Sequence, residues 1–105
     1  MAARDLYHDV VRKALEQAGW TITHDPLVIT YFTRDVLIDL GAEHNAIAAS
    51  RAGEKIAVEI KTFRSASAIT DPEKALGQYS LYELLLKQLD PSRVVYLAIT
   101  ERTCN

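Results

Sequence analysis

The 105-residue chain has one cysteine, Cys104, at its C-terminal end. A lone thiol can form no internal disulfide and supplies no cysteine-cluster metal site. The compartment this implies is a reducing one, so the expected location is cytoplasmic. Long apolar runs are also missing. None approaches the roughly 20 residues needed to span a bilayer, and the charged, amphipathic start MAARDLYHDVV does not read as a secretory leader. No membrane partner is expected. Excess positive charge is absent as well: the net charge of −2 gives no field that would coat nucleic acid indiscriminately. Contact with DNA would therefore need a local patch, another subunit or a metal ion. No repeat, linker or low-complexity segment divides the chain, and its length suits one compact domain over residues 1–105.

What is present is strong periodicity. Leu6, Val10, Ala14, Leu15 and Ala18 recur at helical spacing, which predicts a helix over 4–18 with Gly19 as its C-cap. The β-formers WTIT follow. LVITYF (27–32) and VLIDL (36–40) predict a hairpin turning at Thr33-Arg34-Asp35. AIAAS (46–50) and EKIAVEIKTF (54–63) predict a second strand pair turning near Arg51-Ala52-Gly53. Thr70-Asp71-Pro72-Glu73 has the form of a helix start, and the helix runs to Asp90-Pro91. VVYLAI (94–99) then reads as a strand buried on both faces. The expected fold class is α/β: an antiparallel meander plus a parallel final strand in one mixed sheet flanked by helices, in the order α-β-β-β-α-β.

Within this frame VEIKTF (58–63) stands out, because a strand that only filled a core would need neither Glu59 nor Lys61. Alternation leaves Ile56, Val58 and Ile60 on one face and puts Ala57, Glu59, Lys61 and Phe63 on the other. By the same count Val36, Ile38 and Leu40 share one face, and Leu37, Asp39, Gly41 and Glu43 share the other. If the two strands are close, Asp39 or Glu43 converges with Glu59 and Lys61. Two carboxylates suit a hard divalent cation, Mg²⁺ or Mn²⁺, and a lysine beside them suits phosphodiester chemistry. A hairpin turning near Ala52 sets Glu43 roughly opposite Thr62, so either acid is open as the first ligand. The ordinary alternative is a solvated ladder of opposite charges, worth a few tenths of a kcal/mol. His8 and His24 read as structural or exposed side chains. Arg51, Arg64 and Lys74 are possible phosphate contacts or plain solvated charges.

An acid on one strand and Glu59-Ile60-Lys61 on another resemble the signature of the PD-(D/E)xK nucleases, although Ile38 stands where that signature has proline. Gln78 and Tyr82 resemble the Gln-x-x-x-Tyr accessory motif of the RecB-like branches. The resemblance implies a restriction-endonuclease-like fold, with Asp39, Glu43 and Glu59 as metal-ligand candidates. It assigns Asp39, Glu59, Lys61, Gln78 and Tyr82 to the catalytic constellation. It also raises His8 and Asp9, because some relatives carry an acid on the first helix. More narrowly, ARDLYHDVVRKALEQAGWTITHDPL, DLGAEH, GEKIAVEIKTF, ALGQYSLYE and RVVYLAIT resemble the XisH family of cyanobacteria. That family is named for controlling excision of the fdxN DNA element by site-specific recombination. The likeness implies DNA and a XisI-like protein as partners, a homo-oligomer such as a dimer, and further sheet-forming sequence beyond the point where this chain ends. Two functions are carried forward: a Mg²⁺-dependent DNA endonuclease, and a catalytically inactive module of the same fold that binds a protein partner or DNA.

Overall fold

A computed structural model of the chain describes residues 7–44, 53–64 and 70–102. Its elements are α1 (His8–Gln17), β1 (Thr21–His24), β2 (Leu27–Tyr31), β3 (Arg34–Ile38), β4 (Leu40–His44), β5 (Glu54–Arg64), α2 (Thr70–Leu89) and β6 (Arg93–Arg102). Four strands make one mixed sheet in the order β1-β4-β5-β6, antiparallel except for the β5–β6 pair, which is parallel. Helix α2 is the crossover between those two strands, as a parallel connection requires. The mixed α/β class is the expected one. Among the described residues five strands rather than three lie between the helices, because β2 and β3 form a separate two-stranded ribbon.

The ribbon follows from a bend at Asp39. The sequence 36–40 was expected as one strand, with Ile38 and Leu40 on a common face. Instead β3 ends at Ile38 and β4 begins at Leu40. The bend resets the alternation, so these two fully buried side chains enter different cores. Ile38 joins Leu27, Ile29, Ala57, Tyr82, Leu86 and Val95 between the ribbon, the sheet and α2. Leu40 joins Ala42, Ile56, Val58 and Ile60, against which Val11, Leu15 and Trp20 pack from the α1 side. The sheet is thus covered on both faces. The expected strand 46–50 lies outside the described residues, and the antiparallel neighbour of β5 is β4.

Helix α1 turns a different face inward from the one expected. Val10 is exposed, while His8, Val11 and Leu15 point to the protein. His8 accepts this place because its Nε2 meets Asp25 Oδ1 at 2.7 Å, with Arg12 Nη1 donating to Asp25 Oδ2 at 2.6 Å. A buried polar ring is tolerable only with such a partner. The helix stops as expected at Gly19, whose φ of +97° is in the left-handed region. Trp20 N–H bonds Leu15 O at 2.9 Å and Gly19 N–H bonds Glu16 O at 3.1 Å, the Schellman pattern.

Candidate functional site

The β4–β5 register decides which acid meets Glu59. Leu40 pairs with Val58 and Glu43 with Lys55. Glu43 is therefore not opposite Thr62, and at about 3.4 Å per residue it lies roughly 13 Å along the strand from the Glu59 level. This corrects its candidacy as a ligand beside Glu59: the observed register is offset from the one that a turn near Ala52 would set. Carrying the register one step past Leu40 brings Asp39 to Glu59. Here the main-chain ladder has stopped at the bend, and the two carboxylates take over from it. Asp39 N–H donates to Glu59 Oε1 at 3.3 Å, and Ile60 N–H donates to Asp39 Oδ2 at 2.7 Å. Each acid satisfies a backbone donor of the other's strand, which fixes the carboxyl groups side by side.

Glu59 is buried to 5% exposure. Burial, then its contact and like charge with Asp39, push its carboxyl up to about 7; Lys61 and the Asp39 N–H pull the other way. Lys61 Nζ lies 3.7 Å from Glu59 Oε2, with its side chain about one-third exposed at the rim. From α2, the Tyr82 hydroxyl donates to Glu59 Oε2 at 3.3 Å and lies 3.5 Å from Leu37 O. Burial and the neighbouring Glu59 charge push this phenol up to about 12, so it stays a donor at physiological pH. One turn earlier on α2, Gln78 has a buried side-chain oxygen that finds no hydrogen-bond donor among the described residues. Leaving such an oxygen unpaired costs about 1–3 kcal/mol. Leu97 and Ile99 of β6 flank Glu59 and Lys61.

The structure thus brings together Asp39, Glu59, Lys61 and Tyr82, and it sets Gln78 one turn away on the same helix. His8 does not join them; it is held by Asp25 on α1. Arg51 and the side chain of Arg64 lie outside the described residues, and Lys74 is exposed on α2. Ile60 was not picked out from the sequence, because it acts through its main-chain N–H and no side-chain pattern announces that. The donor set is hard oxygen from two carboxylates. Among the described residues no group of three or more His, Cys, Asp or Glu side chains converges. Two carboxylates, with waters filling the remaining positions, match the habit of Mg²⁺ rather than of an all-protein cage. Two carboxylates side by side, one of them buried, are also an arrangement that a dication relieves.

No curated protein matches the chain. Two solved structures are similar to it. One is an XisH family protein from Nostoc punctiforme PCC 73102, 44% identical with a TM-score of 0.76, covering 90% of this chain and 69% of its own. The other is an fdxN element excision controlling factor protein from Anabaena variabilis, 41% identical with a TM-score of 0.75, covering 91% and 69%. The XisH protein family itself matches residues 1–105. On that match, and on relatives that share both sequence and fold, the chain belongs to the XisH family.

Proposed function

We propose that this chain is an excision controlling factor of the kind named for the Anabaena variabilis relative, and that it carries an endonuclease-type site of PD-(D/E)xK form. The observation that supports this most is the clasp of Asp39 and Glu59, with the Lys61 amine 3.7 Å from Glu59. Asp39 and Glu59 are the residues to hold Mg²⁺, or Mn²⁺ in its place. A bound dication supplies Lewis-acid stabilisation of phosphoryl oxygens and lowers the pKa of a water. Lys61, at the rim, orients the attacking water and offsets negative charge developing on the phosphate. Tyr82 holds the Glu59 carboxylate in place from α2, and Gln78 supports the same edge of the site. In the hydrolysis a water gives up a proton as its oxygen bonds to phosphorus, the bridging P–O bond breaks, and the leaving oxygen takes up a proton in turn. DNA and a XisI-like protein are the partners of this reading, in the cytoplasm.

The test is nicking of supercoiled plasmid with Mg²⁺ or Mn²⁺, with and without a XisI-like partner. Wild type is expected to cut, and Glu59→Ala and Lys61→Ala to lose about 100-fold or more. Cutting that both variants retain would end the endonuclease reading. A second reading, a non-catalytic module that binds a partner or DNA, is favoured by the net charge of −2. It predicts intact plasmid under every metal, with partner affinity unchanged in Glu59→Ala.

A further inference from the structure

Helix α2 carries more leucine than its packing on this chain uses. Ala75, Tyr82, Leu85 and Leu86 turn to the interior, yet Leu76, Leu81 and Leu84 are 62%, 47% and 58% exposed. Exposed leucines on the side away from the interior give the helix a second, partly apolar side that nothing among the described residues covers. The order of the exposed residues indicates what covers the second one. Glu73, Leu76, Ser80, Leu84 and Lys87 are all exposed and share one side of α2 at spacings of three and four. The series is symmetric about Ser80, with leucines equally spaced on either side and opposite charges at the two ends.

We propose that this side of α2 is the contact with a second copy of the chain, the two helices running antiparallel about a two-fold axis at Ser80. In that arrangement Glu73 meets the partner's Lys87 twice and Leu76 meets the partner's Leu84 twice. Ser80 faces the partner's Ser80, where a small side chain lets the helices approach. A parallel pairing in register instead sets Glu73 against the partner's Glu73 and Lys87 against the partner's Lys87. An isologous interface must be self-complementary, and only the antiparallel arrangement of this stripe is.

The ribbon tip extends the same surface. A cleft of about 410 Å³ lies between Tyr31, Phe32 and Arg34 on the ribbon and Leu81, Leu84 and Gln88 on α2. Phe32 is 84% exposed and stands at φ +57°, the first position of a tight turn where glycine is usual. A large apolar ring held outward in a strained backbone calls for a partner surface. On the same side of α2 stands Gly77, where an added Cβ would meet nothing within 4 Å in the single chain, which leaves room for an apolar ring of a partner. A helix pair about 30 Å long buries less than the roughly 800 Å² per partner usual for stable interfaces, and the ribbon tip enlarges it. The contact uses neither Asp39 nor Glu59. It leaves both sites on the opposite face of α2, where Tyr82 reaches them.

Sedimentation equilibrium of the full chain over about 1–200 µM tests this. Wild type should approach twice its 11.7 kDa mass. Glu73→Lys alone should weaken the dimer about tenfold, through two contacts per dimer, and adding Lys87→Glu should restore it to within about twofold. Leu84→Glu should be monomeric, with a circular dichroism spectrum like that of wild type. A wild type that stays monomeric throughout, or a dimer that Glu73→Lys and Leu84→Glu leave intact, overturns the proposal. So does a Glu73→Lys defect that Lys87→Glu fails to repair.

Discussion

Strand β5 carries two buried or half-buried charges four residues apart, and their surroundings are opposite in kind. Near its start Lys55 bonds Asp90 Oδ2 at 2.9 Å. The same carboxylate takes Arg93 Nε at 3.1 Å, and Ser92 Oγ donates to its other oxygen at 2.9 Å. Lys55 first, then Ser92 and Arg93, hold Asp90 down at about 2. Further along, Glu59 is buried beside the Asp39 carboxylate, and burial first, then that neighbour, push it up to about 7. The first cluster is closed: every charge has an opposite, and the group is content to be ionised. The second is short of positive charge in a place where water helps little. Structural ion pairs look like the first arrangement, and sites awaiting a ligand look like the second.

The sharpest way to break this contrast is to make Glu59 neutral. Its carboxyl is raised above the ordinary 4.5, so its contribution to stability is fully present below pH 4.5 and is lost as pH rises through about 7. Glu59→Gln has no charge to hold at high pH. It should therefore exceed wild type by about 2 kcal/mol in urea unfolding at pH 8, with the gap closing towards pH 4.5. Equal stabilities at pH 8 would mean that Asp39 and Glu59 do not strain one another. The closed cluster should respond with the reverse sign and a smaller size. Asp90 is depressed below 3.8, so its stabilisation is present above that value and lost as pH falls through about 2. Because the group is partly exposed, Asp90→Asn should cost only about 1 kcal/mol at pH 7, and the cost should vanish near pH 2.

That same contrast marks where the sequence was legible. Period-two alternation placed Glu59 and Lys61 on one face with Ala57, and β5 bears this out because it is long, regular and pinned to β6 over its whole length. The helix over 70–89 was readable as a long periodic run with clear stops, and the parallel last strand as a continuous apolar run; its expected burial on both faces was wrong, because among the described residues β6 is the edge of the sheet and Val94, Tyr96 and Ile99 are exposed. The bend at Asp39 was not. VLIDL holds neither glycine nor proline, and the kink is set by tertiary hydrogen bonds to Glu59 and Ile60 that local pattern does not encode. Helix α1 was read on the line of Val10 and Ala14, which is exposed; the inward face includes His8, whose burial only Asp25, 17 residues away, makes tolerable. The β4–β5 register failed for a third reason. It is set by the pairing of the two strands, and the position of Gly53 does not announce which residues pair.

That register leaves the smallest expected effect and the cleanest control. Glu43 and Asp39 were equal candidates on sequence, both on the strand that precedes β5. The structure sets Glu43 across from Lys55, at the half of β5 where positive charge is already supplied. Asp39 alone sits at the other half. If the mismatch around Glu59 is what draws a cation, titration with Mn²⁺ followed by electron paramagnetic resonance should show Asp39→Asn losing affinity about tenfold or more. Glu43→Gln should change it by less than about twofold, the residue being more than a Debye length away. Equal losses in the two variants would mean that the ion, if it binds, does not bind between Asp39 and Glu59. The contrast between the two halves of β5 would then be electrostatic only and not the basis of a site.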